Sequence, residues 1–146
     1  MKRMVLAIVA LSVATGAVVA EGDVIAQRRQ IMKGVGEAYY RELGKMNKGQ
    51  SPFELAKAKA SFATIEAAAK KMPGLFPETS KTGGETKALP KIWEDKATFD
   101  NGFATLEKSA ATAQTEVKDV ATLKAQFGII GKSCDGCHEN FRAKME

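Results

Sequence analysis

The last amphipathic segment of the chain carries cysteines where its apolar seam should carry aliphatic side chains. Val120, Leu123, Phe127, Ile130, Cys134, Cys137 and Phe141 follow one another at alternating steps of three and four. That spacing puts them on one face of a helix, the face that packs against other helices. Whatever Cys134 and Cys137 hold is therefore placed in the core of a helical bundle. The segment Cys134-Asp135-Gly136-Cys137-His138 spells Cys-x-x-Cys-His, the attachment signal for c-type haem. The chain has two cysteines and one histidine, all within these five positions. Each thiol adds across one haem vinyl group, and the neighbouring imidazole becomes the proximal iron ligand. Residues at i, i+3 and i+4 share a helix face, so all three side chains address one porphyrin. Two other uses of such a motif fit less well. A thioredoxin-like dithiol needs a βαβ context, and no strand pattern is visible. Zinc needs a fourth ligand, and there is no second cysteine or histidine pair.

Three further amphipathic helices precede this one. The first spans about Asp23 to Met46, with Ile25, Met32, Tyr39 and Met46 recurring every seven residues and Val35 and Leu43 on the same face. The second opens with Ser51-Pro52-Phe53-Glu54, where serine as N-cap, proline at N1 and glutamate at N3 predict a capping box. Its seam is Leu55, Ala58, Phe62, Ile65, Ala69 and Met72. A long loop from Pro73 to Pro90 follows, in which Leu75-Phe76 should tuck under the bundle. The third helix starts near Pro90 and shows Ile92, Phe99, Phe103, Leu106, Ala110 and Ala113 on one face. The predicted fold is all-α, an antiparallel four-helix bundle with haem in the core near one end.

Met1-Lys2-Arg3 and the apolar run to Ala20 read as a signal peptide over residues 1–20, leaving residues 21–146 as the mature bundle. A membrane anchor is the alternative, but the run is short and Ser12, Thr15 and Gly16 interrupt it. Export suits covalent haem attachment, which takes place outside the cytoplasm. Without Lys2 and Arg3 the formal charge of +5 falls to +3, too small and too evenly spread to argue for nucleic acid. No membrane span is expected after cleavage.

With no second histidine, the sixth iron position falls to a methionine or to none. Met145 is on the same helix as His138, Met72 is at a helix end, and Met46 is at the far end of the first helix. In an antiparallel bundle, Met32 comes level with residues 134–138. It either binds iron or packs as ordinary core, and pattern alone leaves both open. Arg28, one turn earlier on the same face, either pairs with a haem propionate or is solvated at the edge of the seam. Gly34 and Gly36 either let the porphyrin approach or are simply tolerated.

The mature chain resembles the class II c-type cytochromes, the cytochrome c-prime family, which are four-helix bundles with Cys-x-x-Cys-His near the C-terminus. Arg28-Arg29-Gln30-Ile31-Met32-Lys33, Pro90-Lys91-Ile92-Trp93 and residues 131–142 carry the resemblance. It implies that Arg28 meets a propionate and that Met32 faces the distal side of the iron. The family has a high-spin branch that binds nitric oxide or carbon monoxide and a low-spin cytochrome c-556 branch that carries electrons. Met32-Lys33, Met72-Pro73-Gly74-Leu75-Phe76-Pro77 and Ala88-Leu89-Pro90 look more like the second. The expected protein is a periplasmic monohaem electron carrier with His138 and Met32 as iron ligands. The alternative is a five-coordinate gas binder. No distal histidine is available for peroxidase chemistry. Partners would be transient redox proteins, steered by Lys33, Lys132, Arg142 and Lys144 if those charges are more than a solvated face. A homodimer is left open.

Overall fold

A computed structural model describes the backbone of residues 21–144 and the side chains of residues 24–144. The leader read over residues 1–20, and Met145, lie outside them. Helix α1 (Glu21–Gly36) runs straight on into a π-helical stretch, Glu37–Leu43, and a final α-helical turn, α2 (Gly44–Asn47). After a turn with Gly49 at φ 68° comes α3 (Leu55–Lys71). Two 3₁₀ turns follow, Met72–Leu75 and Glu78–Ser80, then a short α4 (Lys91–Glu94), a long α5 (Lys96–Glu116) and α6 (Val120–Phe141). Short links join the first rod to α3 and α5 to α6, so those neighbours are antiparallel. The long link, residues 72–90, crosses one end of the four-helix bundle. Its Leu75 and Phe76 are buried, as their sequence context predicts.

The seams close as expected over most of their length. Phe62, Ile65, Ile92, Leu123 and Ile130 are fully buried. Phe99 sits at the centre of an aromatic group, edge-on to Phe76 at 4.7 Å, Phe103 at 5.1 Å and Phe141 at 5.2 Å. Each such pair contributes about 0.5–1.5 kcal/mol beyond the area it buries. That group ties the loop, α5 and α6 together at the end where the cysteines stand.

The structure corrects four sequence expectations. The capping box at Ser51 does not form: α3 starts at Leu55 with Glu54 as N-cap and no side-chain cap. Gln50 N–H and Ser51 N–H both donate to Lys45 O to close the turn, which keeps the chain extended past Ser51, and the Glu54 carboxylate is taken by Lys57 at 3.0 Å. The third helix is broken at Asp95, whose carboxylate accepts Thr98 N–H at 3.4 Å and caps α5. Leu55 and Val120, 41% and 40% exposed, lie in first turns at the end of the bundle and do not join the core. The first helix is not α-helical throughout. Its π stretch surrounds Tyr39, whose ring stacks on Phe127 of α6 at 4.1 Å and 5°. A wider turn is how a helix accommodates a side chain fixed by a partner on another element.

Candidate functional site

One side of α6 presents Cys134, Cys137 and His138 to a cavity of about 1200 Å³. The cavity lies between α1, the 72–90 link, α5 and α6. It exceeds the roughly 300–1,000 Å³ usual for small-molecule sites. Its walls are mainly apolar, with Ile25, Phe76, Phe99 and Phe103 prominent. Met32 and Arg28 of α1 line it too, so the five residues singled out from sequence meet in one place. Met72, which the sequence left at a helix end, also reaches this wall and is buried, whereas Met46 is held elsewhere, accepting Glu54 N–H on its sulfur at 3.4 Å.

Both cysteines are free and partly buried. Burial pushes the Cys134 thiol up to about 11, helped by the nearby Asp135 carboxylate and Cys137. Burial raises Cys137 as well, against a smaller opposing pull from Arg142. A dithiol enzyme needs its attacking thiol lowered, so the two sulfurs are poorly placed for thiol–disulfide chemistry. His138 is lowered, first by burial and then by Arg142. A neutral imidazole is the form that binds a metal. Among the described residues no group of three His, Cys, Asp or Glu side chains gathers to hold a metal ion, so a zinc site lacks its donors.

Arg28 is the most informative wall residue. It is 5% exposed, which excludes the solvated alternative. Its guanidinium lies over the Phe76 ring at 4.4 Å and donates to Ser80 Oγ at 3.3 Å and Ser80 O at 3.2 Å. Burial lowers its pKa, yet it stays charged. Among the described side chains, those of residues 24–144, no carboxylate pairs with it. A buried cation of this kind favours an anionic group in the cavity beside it.

The link closes the site next to α6. Leu89 N–H donates to Phe141 O at 3.0 Å and Ala143 N–H to Lys87 O at 2.8 Å, around an isolated antiparallel bridge between Ala88 and Arg142. Trp93 Nε1–H donates to Phe76 O at 3.0 Å and Pro77 O at 3.2 Å, anchoring the start of the link. An exposed Arg29–Glu85 ion pair spans from α1 to the link. Lys33 and Arg142 stand at the rim, while Lys132 and Lys144 are exposed off it.

The set fits a haem. Two thiols and an imidazole share one helix face, a thioether comes from α1, the walls suit a large flat apolar body, and a buried guanidinium suits a propionate. Sequence reasoning missed Ser80 and the supporting role of Phe76. Ser80 sits in a polar loop with no periodic signal, and its bond to Arg28 links residues 52 apart.

The sequence profile of the family described as cytochrome C' matches residues 23–142, the bundle from first helix to last. A cytochrome c' of Rhodopseudomonas palustris is 51% identical over 130 residues, covering 89% of this chain and 88% of that one. A cytochrome c-556 of the same organism is 36% identical over 148 residues, covering 99% of each. The solved structure of the Rhodopseudomonas palustris cytochrome c' superposes with a TM-score of 0.82 at 51% identity, covering 85% of this chain and 98% of that one. With the profile spanning the bundle and relatives from both the c' and c-556 groups, the chain belongs to the cytochrome c' family, four-helix-bundle c-type cytochromes that carry covalently attached haem c.

Proposed function

We propose that the protein is a periplasmic monohaem electron carrier and not an enzyme. In this reading Cys134 and Cys137 form the two thioethers, His138 is the proximal iron ligand and Met32 is the distal one. The haem iron supplies a one-electron ferric–ferrous couple. The residues supply the rest. His138 gives a neutral nitrogen, its proton disfavoured by burial. Met32 gives a soft thioether, which favours the ferrous state. The apolar walls keep water from the iron, and Lys33 and Arg142 offer positive charge at the rim to an acidic redox partner. Residues 1–20 are read as the cleaved signal that delivers the chain to the periplasm. Among the described residues no helix is long and apolar enough to cross a membrane.

The observation that carries this reading is that Met32 and His138, on different helices, line the same cavity. The test is an absorption spectrum of the purified protein, oxidised and reduced, with carbon monoxide added to the reduced form. Low-spin bands, a sulfur-to-iron charge-transfer band and no response to carbon monoxide support it. Those features should vanish in Met32→Ala and persist in Met72→Ala. The reverse pattern would transfer the ligand role to Met72.

A second reading is favoured by the 51% identical relative being a cytochrome c' and the c-556 relative standing at 36%. It keeps Met32 off the iron as distal packing and makes the protein a binder of nitric oxide or carbon monoxide. High-spin bands and ready carbon monoxide binding in the unmodified protein would establish it.

A further inference from the structure

Ser80 has a environment that a loop serine rarely has. It is completely buried. Its hydroxyl donates to Pro77 O at 2.9 Å and accepts from Arg28 at 3.3 Å, while its carbonyl accepts from Arg28 at 3.2 Å. Two nitrogens of one guanidinium thus converge on a single residue, and the Phe76 ring covers the guanidinium face at 4.4 Å. The segment that makes this seat is fixed in turn. Ser80 N–H donates to Pro77 O at 2.9 Å, and Trp93 holds the carbonyls of Phe76 and Pro77. Arginine offers five N–H donors in a rigid fork, more than Ser80 receives, and Arg28 lines the cavity.

We infer that Ser80 is a positioning residue for Arg28, holding its guanidinium against the cavity wall so that the charge acts on the haem and sets its reduction potential. This rests on the haem reading above. A fixed cation favours the ferrous state, which carries one positive charge fewer than the ferric, and the effect is strong because the wall is shielded from water. Losing the Ser80 hydroxyl removes one of Arg28's bonds and one of the loop's own, so the guanidinium can swing toward solvent and its effect weakens. Lysine at position 28 would keep the charge and could still donate to Ser80, but as a point charge without the fork.

The experiment is a spectroelectrochemical titration of the intact holo protein and of Ser80→Ala, Arg28→Met and the double variant. Ser80→Ala should lower the equilibrium constant for reduction about three- to tenfold, where tenfold is about 59 mV for one electron. Arg28→Met should lower it at least as far. In the Arg28→Met background, Ser80→Ala should add nothing. A purely structural role for Ser80 would shift the melting temperature and leave the potential alone, and an unchanged potential in Ser80→Ala overturns the inference. So does a shift of equal size with and without Arg28. If Arg28→Met does not fold, the uncharged Arg28→Gln, which can still donate to Ser80, serves as the background, and again Ser80→Ala must add nothing there. Failure of the haem reading shows up separately, as an unmodified protein with no covalent haem on a denaturing gel.

Discussion

Replacing Gly131 with alanine would put a methyl group where Tyr39 already stands. A Cβ built at Gly131 falls inside 3.0 Å of the Tyr39 hydroxyl. The hydroxyl cannot easily withdraw, because it donates to Phe127 O at 3.0 Å and its ring is stacked on Phe127. Overpacking of this kind costs about 1–3 kcal/mol, while alanine in a helix interior gains roughly 1 kcal/mol over glycine. The net loss for Gly131→Ala is then up to about 2 kcal/mol. Tyr39→Phe alone loses one hydrogen bond, about 0.5–1.5 kcal/mol. In the double variant the offending oxygen is gone, and the new methyl meets the ring carbon Cζ at 3.5 Å, an ordinary contact. Its helix gain offsets the lost hydrogen bond, so the double variant should match the parent within about 1 kcal/mol and the coupling should reach about 1–3 kcal/mol. Denaturant unfolding of the four holo proteins measures it. Additivity within about 0.5 kcal/mol would refute the reasoning and with it the close seat of Tyr39 against α6.

Burial raises the Tyr39 phenol to about 12, above the ordinary value of 10, so the folded state holds this proton longer than the unfolded one. Its contribution is intact below pH 10 and is lost as pH rises toward 12, so stability measured across that window should fall less steeply in Tyr39→Phe. Trp93→Phe removes the indole N–H that ties the start of the link to α4, and melting temperature should drop while the Cys-x-x-Cys-His segment still takes haem, as read by covalent haem staining. Asp119→Ala removes a capping box made with Thr122 at the far end of α6; it should lower the melting temperature without moving the reduction potential. Cys134→Ser/Cys137→Ser should yield a colourless chain with a broader, less cooperative melt than the holo protein, followed by circular dichroism.

Legibility from sequence followed range. The seams of α3, α5 and α6 could be read because Phe62, Ile65, Phe99, Phe103, Leu123 and Ile130 repeat at helical spacing, and burial enforces that spacing locally. The Cys134–His138 motif could be read because its chemistry needs a fixed spacing within five residues. The π stretch was not, because it answers to Phe127, 88 residues away from Tyr39. Ser80 was not, because a serine among Glu78, Thr79 and Lys81 looks solvated until Arg28 arrives from another helix. Ser51-Pro52-Phe53-Glu54 misled for the opposite reason. The local pattern was a true cap signature, but the tight turn claimed Ser51 N–H first and Lys57 claimed the glutamate.

Arg28 shows why fold and site cannot be separated in this bundle. A charged side chain on the inward face of a helix is costly unless its hydrogen-bond donors are met. Leucine in its place would fill an apolar wall at no electrostatic cost. The chain instead builds a seat for the charge from Ser80, Phe76 and Trp93, using three residues of the one long irregular link and the start of the next helix. Of these, Phe76 lines the cavity that Cys134, Cys137 and His138 face, as Arg28 itself does, and Ser80 and Trp93 hold the two from behind. A link whose only task was to cross the bundle would need neither a fully buried serine nor an indole holding two successive carbonyls. On the proposed haem reading, the order of the 76–80 segment follows from the charge it orients, and the charge from an anionic edge of the group bound to α6. On that reading the segment is most sensitive at Ser80 for potential and at Trp93 for stability, two readouts that separate what it does for the haem from what it does for the fold.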